Sequence, residues 1–290
     1  MRDQASRLRL LVSGDELARA DPAGIGRGDA RVIAVTSGKG GVGKTTLAVN
    51  LALLLAELPS KVLIVDADLG LANVDVLLGM EPGRHIGHLL LPTCAPDDVA
   101  AIGPLGLRVI SGGSGLQELA DASSADRLAL LEKLHSYYQS FDYVMIDTSP
   151  GIGLDVVDFL RTADDLLLVT TPEPTSLRDA YAALKTITRE IPDGEVIPVV
   201  NCATAEQAKQ AMQALNQVAR RFLDRQCDRW YLVQSDPLVP RSIRERRPMV
   251  CAYPRSPAAV CLRRLVKALV SAPDGEGAVV LHGRGAYAAA

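Results

Sequence analysis

The sequence predicts an α/β fold in which a single doubly wound, mainly parallel sheet carries helices on both faces. Two observations predict it. Short segments that are apolar at nearly every position suit strands buried on both faces of a parallel sheet. Amphipathic stretches of helical length alternate with these segments over residues 31–270. In such a sheet ligands bind at the carboxyl ends of the strands, so we expect the chemistry there.

Seven strands and five helices are predicted in alternation. The strands are RVIAVTS (31–37), KVLIVDA (61–67), LRVI (107–110), FDYVMID (141–147), DLLLVTT (165–171), EVIPVVN (195–201) and WYLV (230–233). The helices are Thr45 to Leu58, Asp126 to Ser140, Ser176 to Ile191, Ala205 to Arg225 and Pro257 to Val270. No second domain boundary interrupts this alternation, which predicts one domain over residues 30–270.

Both ends of the chain differ from this domain. Residues 1–20 predict a short helix, and DPAGIGRGD (21–29) is a linker because its proline and glycines break regular structure. Residues 271–290 are rich in Gly and Ala without periodicity, which predicts a flexible tail.

Composition excludes several classes of protein. Of 290 residues, 48% are hydrophobic and 22% charged, which rules out disordered and fibrous proteins. Aromatic residues make up 4%, few for a protein that stacks single-stranded bases, and a net charge of −3 gives no overall attraction to DNA or anionic lipid. Five cysteines without a CxxC pair fit neither a disulfide framework nor a thiolate metal site. Without a signal peptide or an apolar run of membrane-spanning length, we expect a cytoplasmic protein.

A phosphate-binding loop follows the first predicted strand. Residues 38–46, GKGGVGKTT, satisfy the pattern GxxxxGK[ST] between a strand and a helix, which predicts a P-loop NTPase. Lys44 is expected to reach the β- and γ-phosphates, and Thr45 to offer its hydroxyl to Mg²⁺. The residues predicted to bind nucleotide in this loop are Gly38, Lys39, Gly40, Gly41, Val42, Gly43, Lys44, Thr45 and Thr46.

Carboxylates follow two further strands. Asp147 ends the strand FDYVMID, where a Walker B aspartate supports the metal, and Gly151 is placed to give a backbone N–H to the γ-phosphate. Asp66 and Asp68 end the strand KVLIVDA, so one could lie near the metal and the other position the attacking water. The alternative is that this pair caps the turn that follows, because Asp is common at strand ends.

The residues at the end of the strand at Asn201 indicate which nucleotide base the protein binds. The sequence there is Asn-Cys-Ala-Thr (201–204), without the Lys and Asp of the guanine-reading motif NKxD, so adenine is predicted. Asn201 could offer its amide to the base edge or simply form a turn.

The sequence resembles a known family. KGGVGKTT, with its extra Lys39, resembles the deviant Walker A motif of the MinD/ParA family of dimerising ATPases. Within that family, VDADLGLANVDVLLG (65–79), TTPEPTSLRDAYAALK (170–185) and AYPRSPAAV (252–260) resemble the flagellar-number regulators FlhG and FleN. The likeness covers residues 31–270.

The resemblance implies an ATP-driven switch that controls the number and placement of flagella. ATP binding would form a face-to-face homodimer in which Lys39 reaches the partner's nucleotide, and Mg-dependent hydrolysis would separate it. Lys44 and Thr45 would bind phosphate and Mg²⁺, Asp68 would orient the water and Asp147 would support the metal. Two alternatives are a ParA-like DNA partition ATPase and an iron–sulfur carrier of the same superfamily. The net charge of −3 disfavours the partition ATPase, which needs a basic surface for DNA, and the absence of a CxxC pair disfavours the iron–sulfur carrier.

The N-terminal segment carries a resemblance of its own. DQASRLRLL (3–11) resembles the segment by which some flagellar-number regulators activate a signal-recognition-type GTPase, with Asp3, Gln4 and Leu8 as the contact residues. A frayed helix with solubilising arginines is the alternative. A flagellar transcription activator or switch protein is a further expected partner, and the inner face of the membrane or the cell pole a further place of action.

Some positions depart from the family or leave two readings. Gln234-Ser235-Asp236 stands where the branch usually has Pro-Tyr-Asp beside the adenine, which leaves a base contact from Asp236 open. The helix 258–270 is basic and amphipathic, so it either lies on a bilayer or forms the last core helix. RERR (244–247) is a solvated face or a contact for acidic protein or DNA. His85, His88 and Cys94 lack an apparent fourth metal ligand.

Overall fold

The computed structural model describes residues 30–68, 70, 72–113 and 124–271. The predicted N-terminal helix and linker, and the tail from residue 272, lie outside the described residues.

Eight strands form one sheet. They are β1 (Arg31–Thr36), β2 (Val62–Ala67), β3 (Ala101–Ile102), β4 (Arg108–Ile110), β5 (Tyr143–Thr148), β6 (Asp165–Thr170), β7 (Glu195–Ala203) and β8 (Tyr231–Gln234). The order across the sheet is β3-β4-β2-β5-β1-β6-β7-β8. Only β3 is antiparallel to its neighbour. The predicted mainly parallel, doubly wound sheet is confirmed.

Helices cover both faces of the sheet. They are α1 (Lys44–Ala56), α2 (Val74–Leu78), α3 (Pro96–Val99), α4 (Ser124–Tyr138), α5 (Leu154–Leu160), α6 (Pro174–Glu190), α7 (Ala205–Leu223), α8 (Leu238–Arg244), α9 (Met249–Ala252) and α10 (Pro257–Val270). Two short 3₁₀ helices, Ile86–Leu90 and Pro104–Gly106, lie in the connections.

The sheet separates two hydrophobic cores. One core contains apolar residues of α4 to α7 and the facing side chains of the strands. The other contains residues of α1, α2, α9 and α10. Helix α1 is buried along nearly its whole length, because α9 and α10 cover the side that faces away from the sheet. The P-loop at its start is therefore anchored to the best-packed helix of the domain.

The predicted elements are found with ends that shift by at most two residues. The stretch HIGHLLL, helix-like in the sequence, forms the 3₁₀ helix Ile86–Leu90. Helix α10 is a core helix, since Leu262, Leu265 and Leu269 are buried against α1 and β8. Among the described residues, no helix has the length and apolar character needed to cross a membrane.

Candidate nucleotide-binding site

The P-loop joins the carboxyl end of β1 to the first turn of α1. Gly41 and Gly43 have φ values of +77° and +94°, a region that favours glycine. At Gly38 the constraint is packing, because a Cβ there would lie 1.9 Å from the carbonyl oxygen of Asp179 in α6. The loop therefore turns tightly between two helices, with the N-terminus of α1 directed at the site where an anion would bind.

The lysine of the loop lies in the interior. Lys44 is buried, and burial lowers the pKa of its ammonium group. The charges of Asp147 and Asp68 oppose that shift, so both carboxylates lie near Lys44. The sequence thus correctly groups these three residues at one end of the sheet.

Two buried carboxylates stand side by side on neighbouring strands. Asp66 of β2 and Asp147 of β5 are register partners in the parallel ladder. Burial raises the pKa of Asp147, and the charge of Asp66 raises it further, while the Thr45 hydroxyl and Lys44 lower it. Both carboxylate oxygens of Asp147 are buried without a hydrogen bond of ordinary geometry. A buried carboxylate whose oxygens have no such bond among the described residues can accept a cation as a further partner.

These groups fit Mg²⁺. The ion takes oxygen ligands, keeps several waters, and is held by one or two protein oxygens together with substrate phosphates. The Thr45 hydroxyl and Asp147 provide such oxygens beside the P-loop. Within the described ranges no group of three or more His, Cys, Asp or Glu side chains could hold a metal alone. The phosphates of a nucleotide would complete the coordination.

Asp66 has a structural role. Its side chain is fully buried and accepts the backbone N–H groups of Asp68 (3.0 Å), Asn73 (3.0 Å) and Val74 (3.1 Å). Burial nevertheless raises its pKa to about 7. Asp66 thus caps the turn after β2, the alternative that the sequence left open, and a metal contact from Asp66 stays a prediction.

Asp68 lies one residue beyond the end of β2. Its Oδ1 accepts the hydroxyl of Ser149 at 3.2 Å and the N–H of Gly70 at 3.3 Å. The sequence analysis did not predict a role for Ser149. Its position directly after the Walker B strand could have indicated one, because that position lies at the same edge of the sheet as Asp68. The hydrogen bond from Ser149 orients the Asp68 carboxylate toward the loop that follows β5.

Two predicted phosphate contacts have partners within the chain. The N–H of Gly151 donates to the carbonyl of Ser37 at 2.9 Å. The ammonium of Lys39 is exposed and donates to the hydroxyl of Thr175 at 3.3 Å. A contact of the Gly151 N–H with phosphate therefore requires its hydrogen bond to open, whereas the Lys39 ammonium has two further N–H donors. Both contacts stay predictions.

Asn201 supports the P-loop. Its Nδ2 donates to the carbonyl of Val42 at 2.8 Å, and its Oδ1 accepts the N–H of Cys202 at 2.9 Å. A Cβ at Gly43 would come within 2.4 Å of Nδ2, so the amide lies directly against the loop. The structure brings Asn201 to the site as predicted, but with its amide committed to the loop backbone.

Asp236 caps two helices. Its Oδ1 accepts the N–H of Leu238 in α8 at 2.9 Å, and its Oδ2 accepts the N–H of Ala258 in α10 at 3.1 Å. Burial alone would raise the pKa of Asp236, but these amides and the Ser256 hydroxyl outweigh burial and lower it. A base contact from Asp236 stays a prediction.

The remaining candidates fall in two groups. The rings of His85 and His88 lie with their centroids 4.1 Å apart and are tilted by 57°, while the Cys94 thiol lies 3.9 Å from Nη1 of Arg84. These residues form no metal cluster among the described parts of the chain. The expected partner-binding residues Asp3, Gln4 and Leu8 lie outside the described residues.

Comparisons with known proteins show the family of the chain. A family profile described as an AAA domain matches residues 30–193. The chain is 38% identical to the antiactivator FleN of Pseudomonas aeruginosa over 244 residues, which cover 84% of this chain and 87% of FleN. The chain belongs to the MinD/ParA-type ATPase family. The chain is also 33% identical to the flagellum site-determining protein YlxH of Helicobacter pylori, and the match covers 85% of this chain and 83% of YlxH.

Solved structures of the family share the fold. MinD of Pyrococcus horikoshii, complexed with Mg-ADP, superimposes with a TM-score of 0.69 at 23% identity, over 83% of this chain and 96% of MinD. MinD of Aquifex aeolicus superimposes with a TM-score of 0.67 at 26% identity, over 84% and 98% of the two chains. The protein is thus an ATPase that shares the MinD fold.

Proposed function

We propose that this ATPase is a switch that forms a homodimer with ATP and regulates the number or placement of flagella. The observation that supports it best is the convergence of the P-loop, Asp68 and Asp147 at one sheet edge. The likeness to FleN and YlxH, which extends over more than four-fifths of each chain, supports the flagellar role.

Each residue of the site has a distinct part in hydrolysis. Lys44 and the loop amides hold the phosphates, and Thr45 and Asp147 hold Mg²⁺, which offsets the charge that develops on the γ-phosphate. Asp68 positions the attacking water, and Ser149 fixes the rotamer of Asp68 through its hydroxyl. Replacing Asp68 should therefore abolish turnover and leave nucleotide binding intact.

Lys39 links the nucleotide to the dimer. In the single chain its ammonium donates a hydrogen bond to the hydroxyl of Thr175. The pKa of Glu173 is lowered mainly by a hydrogen bond from Thr171, and the positive charge of Lys39 lowers it further. In the dimer, Lys39 would exchange these contacts for the phosphates of the partner's nucleotide. We expect Lys39→Ala to stay monomeric with ATP, while Lys185→Ala, which removes an exposed lysine of α6, dimerises normally. Sedimentation of both variants with Mg-ATP tests this assignment.

A signal-recognition-type GTPase is the proposed partner of residues 1–20. The support is the sequence DQASRLRLL and the linker that follows it. A peptide of residues 1–20 should stimulate GTP hydrolysis by the GTPase, and the same peptide with Gln4→Ala should not. A peptide without effect would contradict this partner. A flagellar transcription activator is the second partner that we propose.

The flagellar role is tested in cells. In a flagellated bacterium that lacks its own regulator, the wild-type chain and Lys185→Ala should restore the normal flagellar count. Lys44→Ala should leave the count unregulated, because it cannot bind ATP productively. If Lys44→Ala restored the count, regulation would not depend on the ATPase site. If the wild-type chain had no effect, the flagellar role would be wrong.

A further inference from the structure

Positive charge is concentrated in one segment of the chain. Residues 237–271 contain seven Arg and one Lys but a single acidic residue, Glu245. The net charge of this segment is +7, whereas the whole chain carries −3, so the other residues together carry −10. Such asymmetry indicates a local field for an anionic partner.

The fold gathers these charges on one surface, which we call the arginine face. The segment forms α8, α9 and α10, which lie on the α1 side of the sheet. All eight side chains are exposed except that of Arg263, which is half-buried. The arginine face consists of Arg241, Arg244, Arg246, Arg247, Arg255, Arg263, Arg264 and Lys267.

Contacts connect the two ends of the arginine face. The guanidinium of Arg241 lies 5.7 Å from the ring centre of Tyr253, whose hydroxyl donates to Glu245 at 2.8 Å. Burial raises the pKa of the Cys251 thiol, and Arg247 and Arg263 both oppose that shift. The two arginines therefore lie near the same thiol, although Arg247 precedes α9 and Arg263 belongs to α10.

Most of these cations form no ion pair with another described residue. Glu245 pairs with Arg241 at 2.8 Å, and Glu57 of α1 pairs with Arg263. No ion pair joins Arg244, Arg246 or Arg247 to any residue of the described ranges. The same holds, over those ranges, for Arg255, Arg264 and Lys267. The arginine face thus keeps most of its charge available.

Aliphatic side chains interrupt the charges. Ile243 is 41% exposed, and Val260 and Val270 are each 38% exposed. Arginine next to exposed apolar side chains is typical of surfaces that bind protein. The planar guanidinium also suits carboxylates, which it binds through two parallel hydrogen bonds.

Two other polyanions fit this surface less well. A bilayer would gain little beyond the attraction of charges, because the apolar side of α10 is buried in the core and the exposed aliphatic side chains are scattered. A DNA duplex would extend beyond the Debye length of about 8 Å, and the rest of the chain, whose net charge is −10, offers it no further overall attraction. A short acidic segment would remain within the field of the arginine face alone.

We propose that the arginine face docks an acidic, aliphatic-containing segment of a partner protein. The docking uses no residue of the nucleotide site, so it can be tested apart from the ATPase activity. It would give the ATPase a second contact besides the N-terminal segment.

The test uses the full-length protein and a fluorescent peptide of Glu-Asp-Leu repeats, with binding followed by anisotropy. Arg244→Glu/Arg247→Glu should weaken binding at least about tenfold, since two favourable contacts become repulsive. The matched control, Arg220→Glu/Arg221→Glu, makes the same charge change on α7, on the opposite side of the sheet, and should bind as the wild type does. Binding should also weaken as salt is raised.

Three results would overturn the proposal. One is equal weakening in both charge-reversal variants, which would indicate general electrostatics. Another is binding of a DNA duplex or of phosphatidylserine vesicles without binding of the peptide. The third is unchanged binding in Arg244→Gln/Arg255→Gln, a variant that removes two unpaired, exposed cations without introducing repulsion. Unchanged basal ATPase activity verifies that each variant is folded.

Discussion

Replacing Asn201 distinguishes a residue that supports the P-loop from one that reads the base. In Asn201→Ala, two hydrogen bonds are lost, to the Val42 carbonyl and from the Cys202 amide. At about 1 kcal/mol net for each bond, the free energy of unfolding should fall by about 2 kcal/mol. Because one of these bonds holds the loop itself, nucleotide affinity should fall by up to about fivefold, the equivalent of about 1 kcal/mol, and equally for adenine and guanine nucleotides.

The chain offers a matched control for this experiment. Asn216 of α7 also makes two backbone hydrogen bonds, donating to the Cys227 carbonyl at 3.1 Å and accepting its N–H at 2.8 Å. Asn216→Ala should lose similar stability in urea unfolding but keep its affinity for fluorescent ADP. If Asn201→Ala instead bound guanine nucleotides relatively better, with unchanged stability, Asn201 would be a base contact and the reasoning would be refuted.

Three further predictions follow from the packing of buried groups. Asp236→Ala removes the cap of two helix N-termini and should lower the free energy of unfolding by about 2 kcal/mol in urea titrations; a changed preference between ATP and GTP would instead indicate a base contact. Gly38→Ala places a methyl group against the backbone of Asp179 and should lower the free energy of unfolding by about 3 kcal/mol. In Gly40→Ala the nearest atoms would be 3.9 Å from the new methyl group, so this control should keep its stability. Equal stability of the two variants would contradict the close packing at Gly38. Burial lowers the pKa of His135, so the unfolded chain binds more protons and stability should fall as the pH drops below 6.5; thermal unfolding of His135→Phe should show a weaker pH dependence, and an identical profile would argue against it.

The central part of the fold could be predicted because burial on both faces leaves a local signal. Strands β1, β2, β5, β6 and β7 are apolar at nearly every position, and the sequence alone locates them. Strand β3 has only two residues and pairs antiparallel at the sheet edge, so it carries no periodic signal. The short helices α8 and α9 were missed for a similar reason, since neither is long enough to display a helical repeat.

The site shows the same limit at the level of single residues. The P-loop and the strand-end carboxylates are recognisable because spacing along the chain fixes their position. The capping role of Asp236 depends on α10, whose capped amide is 22 residues away, and the role of Asn201 depends on a loop 159 residues away. Such partners are set by tertiary packing, and the local sequence is compatible with either role.

The mass of Asp68→Ala in solution with Mg-ATP tests the proposed switch most directly. Asp68 acts on the water and not on the nucleotide, so this variant should bind ATP, assemble to twice the monomer mass and release no phosphate. The same variant with Mg-ADP should sediment as a monomer. A variant that stayed monomeric with ATP, or that hydrolysed ATP at the wild-type rate, would contradict the account.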